Sequence, residues 1–147
     1  MYTHILIPTD GSELAQIGVD HGLSLAKALG SKVTIMTAIE PFTVPTGAAA
    51  WGVTAAGIAS YNAGREKEAE DMMALIKAMA EKMGLEAHTV LMPSESAAAA
   101  ILDTADQVGC NLIVMASHGR RGAKRLILGS QAAEVVSSSK VPVLIIR

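Results

Sequence analysis

The stretch ASHGRRGAKRLILGSQ, from Ala116 to Gln131, combines the residue types that bind anions. Four of the chain's twelve lysines and arginines fall within it at Arg120, Arg121, Lys124 and Arg125, and Gly119, Gly122 and Gly129 punctuate it. Gly129, Ser130 and Gln131 would open a helix whose unsatisfied first-turn N–H groups and dipole favour a phosphate, with the Ser130 hydroxyl donating to the same oxygens. Gly119 lets the main chain approach a ligand just after an apolar run that ends at Met115. A phosphate site, a nucleic-acid grip and a solvated turn are the three chemistries these residues allow.

Other catalytic or binding patterns are weaker. Nothing matches the Walker phosphate loop of Gly, four residues and Gly-Lys-Ser/Thr. The first apolar run turns through TDGSE with a single glycine, so the dinucleotide fingerprint is also missing. Ser117 and His118 invite a nucleophile-and-base reading, yet no third group to orient the histidine is evident in the sequence. His4, His21 and His88 are scattered, so spacing argues for no metal cluster. Cys110, the single cysteine, sits in an apolar context that suits a small core residue. With a net charge of −2 the chain does not advertise nucleic acid as a partner.

Positioning these residues requires a core, and the 147 residues, half of them apolar, suffice for one domain over 1–147. The start, MYTHILIPTDGSE, lacks a basic lead and a long apolar run, so a cytoplasmic location is expected. The uncharged interval from Pro41 to Gly64 is mostly Ala, Gly, Thr and Pro, too weakly apolar for a membrane span.

Strand-length apolar runs alternate with helical patterns in the order β-α-β-α-β-α-β-α-β, which predicts an α/β fold with helices on both faces of a parallel sheet. The runs THILIP, KVTIMTAI, EAHTVLM, NLIVMA and VPVLIIR read as five strands. The first helix starts near Ser12, buries Ala15, Gly18, Gly22, Leu25, Ala26 and Leu29, and stops at Gly30. Residues 41–64 read as a long loop carrying Phe42, Trp51 and Tyr61, either disordered or a lid or partner surface. The next helix covers 64–84, with Met72, Ile76, Met79 and Met83 inward. Pro93 and Ser94 open a third helix, lined by Ala97, Ala100, Ile101, Ala105 and Val108 and ended by Gly109. A short helix after Ser130 turns Ala132, Val135 and Val136 inward. Pro142 assigns the last strand, 141–147, to a sheet edge, which either a second copy, as a homodimer, or a loop would cover.

In such a sheet, ligands collect outside the carboxyl ends of the strands where the order reverses, here between strands one and four. PTDGS after the first strand, ASHGRRGAKRLILGS after the fourth and VPVLIIR at the end resemble the universal stress proteins. The resemblance implies the spatial order 3-2-1-4-5 for the five strands. The nucleotide-binding branch of that family carries Gly, two residues, Gly, nine residues, Gly and Ser or Thr. Gly119, the nine residues 120–128, Gly129 and Ser130 match it, with Ala116 in place of the first glycine. The resemblance implies an adenine nucleotide, ATP or ADP or AMP, with or without Mg²⁺. It places the ligand against Pro8, Thr9, Asp10, Ala38, Ala116, Ser117, His118, Gly119, Arg120, Gly122, Gly129, Ser130 and Gln131. Asp10 would contact adenosine, the backbone near Ala38 the adenine, Ala116 the ribose, and Gly119, Gly129 and Ser130 the phosphates. A negative φ at Ala116 would make its methyl harmless, whereas a positive φ would disfavour alanine. The alternative for Asp10 is an Asx turn before Gly11, to which the ligand role is preferred.

The function these readings support is an ATP-binding regulatory protein of the stress response. It would hydrolyse ATP slowly at most, because no acid lies between Asp106 and Glu134 to orient water or hold a metal. The alternative is a nucleotide-independent dimeric interaction protein that docks through 41–64.

Overall fold

The computed structural model describes residues 1–118 and 128–147, so the expected ligand contacts at Gly119, Arg120 and Gly122 lie outside the described residues. Five strands, β1 (His4–Pro8), β2 (Lys32–Ile39), β3 (Ala87–Pro93), β4 (Leu112–Ala116) and β5 (Val143–Ile146), form one parallel sheet in the order β3-β2-β1-β4-β5. The connecting helices are α1 (Glu13–Leu29), α2 (Ala55–Lys82), α3 (Ala97–Val108) and α4 (Ser130–Ser138).

The two-residue period of the central strands divides the core. Ile5, Ile7, Val33, Ile35, Leu112 and Val114 pack with Val19, Leu23 and Ala26 of α1 and Met73, Ile76 and Ala80 of α2. Their alternate neighbours Leu6, Met36, Ile113 and Met115 pack with Ala98, Ala100, Ile101 and Ala105 of α3 and Ala132 and Val135 of α4. Helices α1 and α2 therefore cover one face and α3 and α4 the other. Each such fully buried aliphatic side chain contributes roughly 1.5–3 kcal/mol. The chain steps from β1 through β2 to β3 with α1 and α2 on one face, then returns by α3 to β4 beside β1 and by α4 to β5, so the strand order reverses between β1 and β4.

Local caps set the helix ends. The Ser12 hydroxyl accepts from the Ala15 N–H at 3.1 Å, and Gly30 closes α1 in the left-handed conformation. The Ser96 hydroxyl accepts from the Ala99 N–H at 3.2 Å to start α3.

Several boundaries differ from the sequence reading. Helix α2 begins at Ala55, not Gly64, because the Thr54 hydroxyl caps it by accepting from the Gly57 N–H at 3.0 Å. The expected 41–64 loop thus loses residues 55–64 to α2 and contains a short 3-10 turn, Ala48–Trp51. Within α2 the buried seam runs through Met73, Ile76 and Ala80, and Met79 is exposed. Leu29 and Val136, expected inside, are exposed as well. Pro93 ends β3 in register with Ile39 instead of opening α3, which starts after Ser96. β5 lies at the sheet edge, and the Pro142 carbonyl accepts from the Ile113 N–H. Cys110 is buried, and that burial pushes its thiol up from its ordinary value, so it stays protonated in the core. Among the described residues no helix is long and apolar enough to cross a membrane.

Candidate functional site

β1 and β4 are hydrogen-bonded neighbours over a short span. Their ladder holds Ile5 opposite Leu112 and Leu6 opposite Ile113, yet the strands run on to Pro8 and Ala116. β1 and β2, by contrast, stay in register from His4–Lys32 to Pro8–Met36. The sheet therefore parts at the carboxyl ends of β1 and β4, the reversal point at which open parallel sheets take ligands.

The exit of β1 is held by short bonds. The Thr9 N–H donates to the Met36 carbonyl at 2.9 Å, and the Thr37 hydroxyl donates to the Thr9 carbonyl at 2.9 Å. The Thr9 hydroxyl is turned to its own chain, accepting from the Gly11 N–H at 3.2 Å. Asp10 Oδ1 accepts from the Ser12 N–H at 3.0 Å, which is the Asx turn allowed by the sequence. That bond fixes the half-buried Asp10 carboxylate at the mouth of the parting and leads the chain into the Ser12 cap. Ala38, one residue before the end of β2, is half-buried at the same edge of the sheet.

On the other side, the Ser117 N–H donates to the Ile146 carbonyl at 2.8 Å, prolonging the β4–β5 ladder past Ala116. No non-glycine among the described residues has a positive φ, so Ala116 keeps an ordinary strand conformation and its methyl strains nothing. The Ser117 hydroxyl and His118 Nδ1 lie 3.1 Å apart. The chain bends at Ser117, which brings the two adjacent side chains together. The Gly129 N–H donates to the Ser117 carbonyl at 3.0 Å, which pins the start of α4 to the end of β4. A Cβ on Gly129 would sit 3.0 Å from that carbonyl and 3.4 Å from the His118 ring, so this cradle is filled by main chain and imidazole. Gly129, the N-cap of α4, has no side chain with which to cap the first turn, and Ser130 behind it is exposed. The N–H groups and positive dipole end of that turn face outward from the joint with β4.

Gln131, expected beside the phosphates, turns its side chain elsewhere: its Oε1 accepts from the Ala98 N–H of α3 at 2.8 Å. This bond ties the starts of α3 and α4 together and leaves the main chain of Gln131 at the first turn of α4. Gly18, read from the sequence as sheet packing alone, matters to the site. A Cβ there would lie 2.8 Å from the Ala116 nitrogen and 3.3 Å from the Met115 carbonyl carbon. Thr37 escaped notice altogether, since a threonine inside an apolar run carries no signal of its hydroxyl's partner. Among the described residues no group of three histidine, cysteine or acidic side chains is placed to hold a metal ion.

Known proteins supply an independent comparison. Residues 1–147 match the Universal stress protein family. The chain is 30% identical over 149 residues to the universal stress protein YxiE of Bacillus subtilis, with 100% of each chain covered. Universal stress protein UspA from Lactobacillus plantarum superposes with a TM-score of 0.84 at 22% identity, covering 99% of this chain and 98% of that one. A universal stress protein in complex with cAMP has a TM-score of 0.73 at 23% identity, covering 99% of this chain and 97% of that one. The universal stress protein from Archaeoglobus fulgidus in complex with dAMP has a TM-score of 0.67 at 20% identity, covering 99% and 98%. A sheet of this order, parting where β1 and β4 end, thus coincides with a match along the whole length, and the chain belongs to the universal stress protein family.

Proposed function

We propose that this protein binds an adenine nucleotide between the carboxyl ends of β1 and β4 and acts as a regulatory protein through that binding. The observation that carries the reading is the start of α4, whose N-cap is the glycine Gly129 and which Gly129 pins to the exit of β4 beside the parted strands. Phosphates would take the first-turn N–H groups and the Ser130 hydroxyl, where the helix dipole adds to each hydrogen bond. Asp10, held by its turn at the opposite side, would accept from the ribose or base, and the main chain at Ala38 would border the adenine. Structural neighbours in complex with cAMP and dAMP support the choice of an adenine nucleotide over other anions. ATP is the preferred ligand in this reading, because a helix N-terminus gains most from a chain of phosphates. Mg²⁺, where it accompanies ATP, would be held mainly by phosphate oxygens and water. Dimerisation through β5 and a cytoplasmic location complete the proposal.

Titration calorimetry with ATP, ADP and AMP tests it, together with mass spectrometry of any small molecule released on denaturation. Ser130→Ala combined with Gly129→Ala should weaken ATP by about tenfold or more, since a hydrogen bond to a charged group contributes about 1.5–3 kcal/mol. AMP should lose less than ATP. Unchanged ATP affinity in the double variant, or no heat with any of the three nucleotides, would sink the reading.

A further inference from the structure

The pairing of β1 with β2 stops before the backbone of β2 does. Its register ends at Pro8 opposite Met36, and the Thr9 N–H adds one more bond, to the Met36 carbonyl at 2.9 Å. In a regular parallel pair the next bonds would run from the Ala38 N–H to the Thr9 carbonyl and from the Gly11 N–H to the Ala38 carbonyl. Among the described residues neither forms. Two hydroxyls stand in their places: that of Thr37 donates to the Thr9 carbonyl at 2.9 Å, and that of Thr9 accepts from the Gly11 N–H at 3.2 Å.

The exchange satisfies β1 without β2. Thr9 and Thr37 are both buried, so each bond is made where an unpaired polar group would be costly. The chain then leaves the sheet through the Asp10 turn, and β2 runs on alone toward Ile39. Because the Met36 carbonyl faces β1, the N–H and carbonyl of Ala38, two residues on, face the same way. They stand on the half-buried edge that β1 has vacated, an adjacent main-chain donor and acceptor at the mouth of the parting.

We infer that Thr37 is a positioning residue for the base: its hydroxyl holds the Thr9 carbonyl away from the Ala38 N–H and so keeps the Ala38 pair open to a purine edge. The inference rests on the nucleotide reading above, in which the main chain at Ala38 borders the adenine. The pair suits adenine, whose N1 accepts while its 6-amino group donates. Guanine carries donor and acceptor exchanged at those two positions, so it meets the pair only with its ribose displaced from the place that serves adenosine. Thr37→Val keeps the shape of the side chain and removes the hydroxyl. The buried Thr9 carbonyl then recovers a donor by taking the Ala38 N–H, which lengthens the ladder by one step and closes the pair.

Amide exchange and calorimetry on the full chain test this. In the ligand-free parent the Ala38 amide should exchange faster than those of its strand neighbours, and AMP should protect it where inorganic tripolyphosphate does not. In Thr37→Val the same amide should slow without any ligand. ATP and AMP should each bind that variant about tenfold more weakly, the worth of one hydrogen bond, and tripolyphosphate should bind it as it binds the parent. Its preference for ATP over GTP should shrink by the same factor, and Thr37→Ser, which keeps the hydroxyl, should restore the parent's behaviour. An Ala38 amide already slow in the ligand-free parent overturns the inference, whether or not the variant folds. So does ATP affinity that survives Thr37→Val in a protein whose parent binds ATP, or an equal loss for tripolyphosphate and ATP. A parent that binds no adenine nucleotide overturns the nucleotide reading itself, and this inference with it.

Discussion

Gly18→Ala probes how α1 fixes the end of β4. The added methyl would stand 2.8 Å from the Ala116 nitrogen and 3.3 Å from the Met115 carbonyl carbon, where ordinary contact begins near 3.4 Å. Its neighbours are main-chain atoms of a buried strand, which cannot rotate away, so α1 and β4 must separate by several tenths of an ångström. Overpacking a tight core costs about 1–3 kcal/mol, and a backbone obstacle puts this site at the upper end. Alanine in place of glycine inside a helix returns about 1 kcal/mol. The net loss is about 2 kcal/mol, which lowers the urea midpoint by about 1 M for a slope near 2 kcal/mol per M. Gly22→Ala is the internal control. Its methyl would meet the end of the Ile7 side chain, at 2.6 and 2.9 Å, which turns aside more cheaply than a strand, so its midpoint should fall less. Because the displaced atoms belong to Ala116, Gly18→Ala should also weaken nucleotide binding in calorimetry. A Gly18→Ala midpoint equal to or above that of the parent would refute the close-contact reasoning, since helix propensity alone would then be operating.

Gln131→Ala leaves the buried Ala98 N–H without its acceptor and should cost about 1–3 kcal/mol, with faster amide exchange at Ala98 as the specific reading. Ser12→Ala removes the cap of α1 and should cost about 1 kcal/mol in urea unfolding; an unchanged midpoint would show that the Asp10 turn alone starts the helix. His4 is buried with Nε2 2.8 Å from the Thr34 hydroxyl, and its pKa is lowered from 6.5 first by burial, then by Lys32 and His88, against weaker opposing effects of the Val108 carbonyl and Glu86. The unfolded chain then binds a proton at higher pH than the folded one. His4 therefore contributes stability that is complete above the unfolded value of 6.5 and is lost as pH falls through the lower folded value. Urea midpoints taken from neutral pH downward should drop through that window, and His4→Gln should flatten the drop.

The elements most legible in the sequence were those whose cause is local. β2 spans Lys32–Ile39 as the run KVTIMTAI indicated, and Ser12, Gly30 and Gly109 mark helix ends because capping acts over three or four residues. The order of strands was not local in this sense: alternating elements with right-handed crossovers allow several orders, and 3-2-1-4-5 came with the family resemblance. The start of α2 was hidden because AAGIASYNAG has neither charge nor a helical apolar stripe, and only the Thr54 hydroxyl, looking like any loop threonine, announces it. Adjacent Met72 and Met73 made the seam of α2 ambiguous by one position, and the wrong choice carried Met79 inward. At the site, Asp10, Ala116, Gly129 and Ser130 could be named by their places after β1 and β4. The partners of Gln131 and Gly18 could not, since Ala98 is 33 residues from one and Ala116 is tertiary to the other.

Ala116, which stands where the family pattern has glycine, brings these levels together. Glycine is required where φ is positive or where a neighbour occupies the place of a Cβ. Ala116 is a regular strand residue with its φ outside the positive range, and it pairs with Ile146 of β5. The close approach at this end of β4 is met from the other partner, by the missing side chain of Gly18. Restoring the glycine should therefore gain nothing for the ligand: Ala116→Gly should leave ATP affinity within about twofold while costing about 0.5–1 kcal/mol of stability through added backbone freedom in the unfolded chain. Calorimetry and urea unfolding of the one variant measure both. A tenfold gain in ATP affinity would mean that the methyl obstructs the ribose, and the claim that Gly18 already provides the space would fail with it.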